Sequence, residues 1–180
     1  MKFNFFRNPL VRFLVLFIIL YTSWYVLYEW VLNPDGKLDR LVINSLVYSS
    51  EHLLKLLGFN TFTTHSETIR TVGIDGTHGL WIGDPCDGIT LFALSASFIL
   101  SFPGPAKHKA WFIPASIVGI FLTNIFRITA LCIIVLKKPQ WLGINHDYIF
   151  KILVYGFIFW TWMIWVNRFS GISSLFNKEK

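Results

Sequence analysis

Ala110 to Leu136 reads AWFIPASIVGIFLTNIFRITALCIIVL, and this stretch decides the fold class. Arg127 is its one charged residue, and the stretch exceeds the roughly 20 residues that a helix needs to cross a hydrocarbon core of about 30 Å. The same length criterion selects about Leu10 to Leu32 and Tyr148 to Val166. Gly88 to Phe102 is shorter but contains no charged residue, so we interpret it as a fourth span.

The composition indicates lipid as the solvent of this chain, since 54% of its residues are apolar and only 14% are charged. We therefore predict an all-α integral membrane protein in which residues 1–180 form a single membrane domain in the lipid bilayer. Its transmembrane helices are predicted at about 10–32, 88–102, 110–136 and 148–166. Residues 1–32 lack a small-x-small cleavage site near Trp24 to Trp30, which favours an uncleaved span over a secretory signal.

Positively charged residues predict the orientation, because short cytoplasmic loops retain Lys and Arg. Three groups fall on one side if both termini are cytoplasmic: Lys2, Arg7 and Arg12; Lys107 and Lys109; Arg168, Lys178 and Lys180. Residues 33–87 and Lys137 to Asp147 then lie outside, with Lys137 and Lys138 as the discordant pair. The net charge of +6 thus reflects topology. Its scattered distribution predicts no nucleic acid partner.

The extracytoplasmic segment 33–87 is predicted to have two parts. Leu38 to Leu57 carries spaced leucines between polar residues and resembles an amphipathic interfacial helix. Thr61 to Ile82 carries β-favouring residues around Asp75-Gly76, a dipeptide that suits the two-residue turn of a small β-hairpin. Such a hairpin would lead the chain directly into a turn that contains Cys86.

Three chemically capable residues fall at the outer side in this topology: Cys86 before the second span, Arg127 within the third, and His146 before the fourth. A charge inside a span is costly and usually marks function. Asn124 and Arg127 share one helix face. These three side chains together suggest acyl transfer. The thiolate would attack a carbonyl, the imidazole would move protons, and the guanidinium would stabilise the negative charge that develops.

Three motifs follow one another along the chain: Cys86-Asp87-Gly88, Asn124-Ile125-Phe126-Arg127 and His146. In order and spacing they resemble the exosortase/archaeosortase family of membrane cysteine transpeptidases, of which this chain would be a small member. The resemblance implies a protein of the inner (plasma) membrane with an extracytoplasmic active site. Its substrates would be exported proteins with a C-terminal sorting tail, cleaved through a Cys thioester whose acyl group passes to an amine acceptor.

The family's pattern would make Cys86 the nucleophile, Arg127 an oxyanion or substrate-positioning group, and His146 the proton-transfer partner. Gly88, Asn124 and Asp87 would support the site. A carboxylate at Asp87 opposes thiolate formation at Cys86 unless Arg127 or His146 offsets its charge. The resemblance implies no cofactor.

Other interpretations of these residues stay open at this point. Cys86 is also suited to a disulfide with Cys132, although Cys132 lies about 140° around the helix from Arg127 and should face lipid or another seam. Arg127 is suited to a structural ion pair with Asp84 or Asp87, and His146 to a helix cap. Scattered metal-capable residues lack the spacing of a metal site: Cys86, Asp84, His52, His65, His78 and His146. A non-catalytic assembly or chaperone subunit would grip a substrate tail through Arg127 without needing the thiol.

Overall fold

The computed structural model describes residues 9–65 and 70–170. Four of the basic residues on which the predicted orientation depends lie outside the described residues: Lys2, Arg7, Lys178 and Lys180. The helices and strands are α1 (Pro9–Leu27), α2 (Asn33–Asp35), α3 (Lys37–Leu56), β1 (Thr61–His65), β2 (Arg70–Ile74), β3 (Leu80–Trp81), α4 (Ile89–Ser101), α5 (Ala106–Lys137), α6 (Leu142–Ile144) and α7 (Phe150–Ile164).

Three continuous helical segments are long and apolar enough to cross a membrane: Pro9–Asp35, Ala106–Lys137 and Phe150–Phe169. Large apolar side chains project from their surfaces, with Leu10 64%, Phe126 62% and Ile152 72% exposed. Exposure of this kind suits contact with lipid, because a soluble protein would bury a continuous apolar surface. The predicted all-α membrane fold class is confirmed.

Helix α4 has 13 residues and is the shorter apolar helix at the place of the predicted fourth span. It begins at Ile89 and ends at Ser101, close to the predicted bounds of 88–102. At about 1.5 Å per residue its length is roughly 20 Å, less than the hydrocarbon thickness of a bilayer. The prediction that it spans the membrane therefore stays a prediction.

The described residues divide into two compact units: residues 9–34, 90–118 and 158–170 form the first, and residues 35–65, 70–89 and 119–157 form the second. The described part of the first unit packs around the buried side chains of Ile99, Phe112 and Trp165. Phe98 stacks on Trp162 with ring centroids 4.1 Å apart. Gly104 has φ 149°, and a Cβ there would approach Trp165 to 2.7 Å, so this turn requires glycine. The predicted single membrane domain stays a prediction.

The second unit joins helix α3, a small sheet and the C-terminal half of α5. The buried face of α3 consists of Asp39, Ile43, Leu46, Val47, Ser50 and Leu54. Its apolar members share one core with Val72 of β2 and with Ile125 and Ile128 of α5. The predicted amphipathic helix is present at Lys37–Leu56, and its apolar face packs against protein.

The sheet is antiparallel with strand order β1-β2-β3, so it holds one strand more than the hairpin we predicted. Strands β2 and β3 pair through Thr71 with Trp81 and Val72 with Leu80. Asp75 and Gly76 are the central residues of a β-turn, but the predicted two-residue connection is longer: residues 75–79 join the strands, and positive φ occurs at Gly76 and Gly79 and not at Asp75. Thr77 explains the longer turn: its backbone N–H and its hydroxyl both donate to the carbonyl of Ile74, at 3.1 and 2.7 Å.

Helices α5 and α7 approach closely within the second unit. A Cβ added at Gly119 would lie 2.7 Å from the Phe157 ring, so the absence of a side chain permits this approach. The segment before α7 contains α6 and a π-helical turn, Asn145–Ile149. Because α7 follows that turn directly, its packing on α5 brings the turn toward the Arg127 face of α5.

Candidate active site

Cys86 ends a short 3₁₀ turn, Asp84–Cys86, which follows strand β3. Its backbone N–H donates to the Gly83 carbonyl at 2.8 Å. Gly88 has φ 86°, a left-handed conformation that a residue with a Cβ rarely adopts, and this reverses the chain into α4. The thiol is partly exposed. The predicted turn thus presents Cys86 at the entrance to a helix.

Asp87 and Asn124 fix the Cys86 turn. The Asp87 side chain accepts a hydrogen bond from the Ile89 N–H through Oδ1 at 2.8 Å, which caps the first turn of α4. Its main-chain carbonyl accepts a hydrogen bond from Asn124 Nδ2 at 3.3 Å. Asn124 is 1% exposed, so this bond joins α5 to the turn in a dry environment.

Arg127 lies one helical turn beyond Asn124 and reaches the thiol. Its Nη2 lies 3.8 Å from Cys86 Sγ and 3.3 Å from His146 Nε2. Its Nε is buried, and no acceptor in residues 9–65 or 70–170 reaches it. The described side chains form ion pairs such as those of Lys37 with Asp35 and of Lys55 with Glu51, and none of the described pairs joins Arg127 to Asp84 or Asp87.

His146 completes a triangle with the thiol and the guanidinium. It lies in the π-helical turn Asn145–Ile149, an irregular geometry that is frequent at functional sites. Its Nε2 lies 3.7 Å from Cys86 Sγ. Because a guanidinium only donates, its contact with Nε2 is a hydrogen bond in the imidazole tautomer that leaves the lone pair on that nitrogen. In that tautomer Nε2 is also the nitrogen that faces the thiol as a proton acceptor.

The residues that the sequence selected for chemistry therefore lie together in the second unit. Cys86, Arg127 and His146 touch one another, while Asn124 and Asp87 hydrogen bond directly behind them. Cys132 lies elsewhere: it is 1% exposed, and its thiol donates to the Val72 carbonyl at 3.6 Å. Both cysteines are free thiols, so the alternative of a disulfide between them is not realised.

Asp39 is a residue that the sequence analysis missed. It is 2% exposed, and its carboxyl group lies near that of Asp87, which is also 2% exposed. Burial, followed by the nearby acidic side chains of Asp39 and Asp84, raises the pKa of Asp87 to about 8 against the lowering effect of the hydrogen bond from the Ile89 N–H. The available signal was an acidic residue four positions before Ile43, in register with the apolar face of α3.

Metal-binding side chains do not gather in the part of the chain that the structure describes, where no group of three or more His, Cys, Asp or Glu residues is placed to hold an ion. A Cys, a His and an Arg in mutual contact suit nucleophilic chemistry at a carbonyl, since they supply a thiolate, a proton acceptor and a fixed positive charge.

Comparison with known proteins gives one match. The model of the family described as Transmembrane exosortase (Exosortase_EpsH) matches residues 9–167. No curated protein sequence and no solved structure matches the chain. The family match covers most of the chain, including the turn of Cys86, the α5 face with Asn124 and Arg127, and His146. The chain is thus a multi-pass membrane protein and belongs to the transmembrane exosortase family.

Proposed function

We propose that this chain is a membrane cysteine transpeptidase that cleaves a C-terminal sorting tail from exported proteins and transfers the new acyl end to an acceptor. The observation that carries the proposal is the triangle of Cys86, Arg127 and His146, with contacts of 3.3 to 3.8 Å. Membership of the exosortase family supports the same reaction class.

The first step is activation of the thiol. His146 Nε2 takes the proton from Cys86 Sγ, which leaves a thiolate beside an imidazolium. Arg127 Nη2 stabilises the thiolate electrostatically across 3.8 Å. The thiolate attacks the carbonyl carbon of the scissile peptide bond, and a negative charge develops on the carbonyl oxygen.

Arg127 also suits the second role, stabilisation of that oxyanion. The guanidinium has five N–H donors, and its Nε–H has no acceptor in the described residues, so donor capacity remains for a substrate oxygen. A preformed donor is most effective when its position is fixed in advance. Asn124 supports that position by joining α5 to the Cys86 turn through the Asp87 carbonyl.

Collapse of the intermediate breaks the C–N bond, and the departing amine takes its proton from the His146 imidazolium. The substrate then carries a thioester on Cys86. An acceptor amine attacks this thioester, His146 removes the proton of the amine, and the thiol is restored. Water in place of the amine would make the reaction hydrolysis, so the acceptor decides between transpeptidase and protease.

We further propose that the site faces the extracytoplasmic side of the inner membrane and that both termini are cytoplasmic. The distribution of Lys and Arg over the loops supports this orientation. In this orientation the site lies where exported proteins arrive, and a tail that enters the membrane would reach the site from the bilayer.

C-terminal peptides of exported proteins, identified by mass spectrometry in cells that carry each variant, test this function. We expect Cys86→Ser to abolish tail removal, because a hydroxyl is a far weaker nucleophile here, and Cys132→Ala to process tails as the wild type does. Undiminished processing by Cys86→Ser would overturn the proposal. A non-catalytic binding subunit would give a different result. Tails would then stay intact even with the wild-type chain, Cys86→Ser would still capture them, and Arg127→Gln would not.

A further inference from the structure

A groove opens in the first unit where the first turn of α1 meets the turn between α4 and α5. Its volume is about 360 Å³, in the range of small-molecule binding sites. The described residues that line it include two cations, Arg12 of α1 and Lys109 of α5. Phe13 and Phe102 belong to its apolar lining, and their rings meet edge to face with centroids 5.0 Å apart. The groove therefore has a cationic part and an apolar part.

The charge of the two cations is not balanced by the described carboxylates of the first unit. Glu29 is the one acidic residue in the described part of that unit. It lies about 17 residues beyond Arg12 on the same continuous helical segment, roughly 25 Å away at about 1.5 Å per residue. None of the described ion pairs involves Arg12 or Lys109. The groove thus carries positive charge that suits an anionic ligand.

Lys109 is held in place beside the groove. Its Nζ donates to the Leu100 carbonyl at 2.7 Å, in the last turn of α4. This bond uses one of the three donors of an ammonium group, so two remain for an anion. Arg12 contributes an exposed guanidinium from α1, and a guanidinium can bind two oxygens of one phosphate. The two cations together suit a phosphate group at the mouth of the groove.

The apolar part of the groove continues along α1. Arg12, Val15, Leu16 and Ile19 line an adjoining groove, and their spacing places them on one face of the helix. Leu16 and Ile19 are exposed, and no residue of α1 is fully buried. Ile19 lies roughly 10 Å along the helix axis from Arg12, which is near the end of the span. The apolar face therefore leads from the cations toward the hydrocarbon core.

We propose that the groove binds one anionic phospholipid from the leaflet at which α1 begins. Its phosphate lies between Arg12 and Lys109, and an acyl chain follows Leu16 and Ile19. A phospholipid fits both parts, because its charged headgroup lies at the membrane surface while its chains extend inward. A small soluble anion would use the cations without contacting the apolar face. The bound lipid joins α1 to the turn between α4 and α5, and it does not depend on the proposed function.

Native mass spectrometry of the purified full chain in detergent tests the headgroup. Phosphatidylglycerol and phosphatidylcholine with identical acyl chains are titrated, and the Kd of the first bound lipid is compared. We expect phosphatidylglycerol to bind about 5- to 30-fold more tightly, since each basic contact with an anionic lipid contributes a factor of about five. The double variant Arg12→Gln/Lys109→Gln should lose this preference.

The matched control is Lys107→Gln/Arg168→Gln, which removes the same charge at two exposed residues that are not among the described residues lining the groove. It should keep the preference for phosphatidylglycerol. A wild type that binds both lipids equally, or an equal loss of preference in the two double variants, would overturn the proposal.

The apolar part of the groove is tested separately. Leu16→Asn should weaken binding of phosphatidylglycerol roughly three- to tenfold through the lost apolar contact, whereas Leu14→Asn, at an exposed position on another face of α1, should not. Unchanged binding by Leu16→Asn, or displacement of the lipid by millimolar inorganic phosphate, would overturn the lipid and indicate a small-anion site. If Arg12→Gln/Lys109→Gln fails to fold, the wild-type preference and the Leu16→Asn result still decide. No substrate is needed, so failure of the transpeptidase proposal would be recognised separately.

Discussion

Loss of the Arg127 charge should lower the reactivity of the Cys86 thiol. Nη2 lies 3.8 Å from Sγ. At an effective dielectric constant of about 20, a unit positive charge at this distance stabilises a thiolate by about 4 kcal/mol. The thiol is partly exposed, so solvent screening reduces this to about 1.4 to 2.8 kcal/mol. We therefore expect Arg127→Gln to decrease the thiolate population, and with it the alkylation rate near pH 7, roughly ten- to hundredfold.

The assay is the time course of iodoacetamide modification at the Cys86 peptide, with Arg168→Gln as the matched control. Arg168 is an exposed arginine of the π-helical turn after α7, and its loss should leave the rate unchanged. Arg127→Lys should retain much of the reactivity but lose tail cleavage, because Lys keeps the charge without the planar fork of donors. Wild-type reactivity in a well-folded Arg127→Gln protein would refute the electrostatic role assigned to Arg127.

Three further predictions concern the groups around the thiol. His146→Ala should slow tail cleavage about 10² to 10⁴-fold in a substrate-processing assay, because the thiol loses its proton acceptor; unchanged cleavage would exclude this role. Asn124→Ala should lower the free energy of unfolding in detergent by about 1 to 3 kcal/mol, since it breaks a buried hydrogen bond to the Asp87 carbonyl. Thr123→Val removes a hydroxyl that bonds within its own helix, so it should lower the free energy of unfolding clearly less. Asp87 has its pKa raised from 3.8 to about 8, so its contribution to stability is complete below about pH 4 and is lost as pH rises through about 8, with a slope of at most about 1.4 kcal/mol per pH unit. Asp87→Asn should flatten this dependence in pH-resolved thermal melts, and a slope as steep as that of the wild type would contradict the assignment.

Local sequence patterns were sufficient to predict the helices. An uninterrupted apolar run must satisfy its backbone groups internally in lipid, so Ala110 to Leu136 had to be helical, and α5 extends over Ala106–Lys137. The family membership of the chain was also predictable, from Cys86-Asp87-Gly88, Asn124 with Arg127, and His146. These residues lie far apart along the chain, and the topology inferred from charges led us to expect them on one side of the membrane.

Features that depend on tertiary packing were not predictable in the same way. Strand β3 has two residues, too few to show a period, and forms because Thr71 and Val72 of β2 offer it a partner. The five-residue connection at 75–79 includes hydrogen bonds of the Thr77 hydroxyl, which donates to the Ile74 carbonyl and accepts from the Gly79 N–H, and these bonds extend the local turn at Asp75-Gly76. The association of Asp39 with Asp87 joins α3 to a turn far along the chain, and no short-range pattern encodes it.

The central claim is that Cys86 becomes acylated during turnover, and intact-mass analysis of the enzyme isolated from cells with its substrates tests it most directly. We expect the wild type to carry an added mass on Cys86 that neutral hydroxylamine removes, and Cys86→Ala to carry none. The mass would identify the acyl fragment. An adduct of equal mass on Cys86→Ala, or tail cleavage by that variant, would contradict the account.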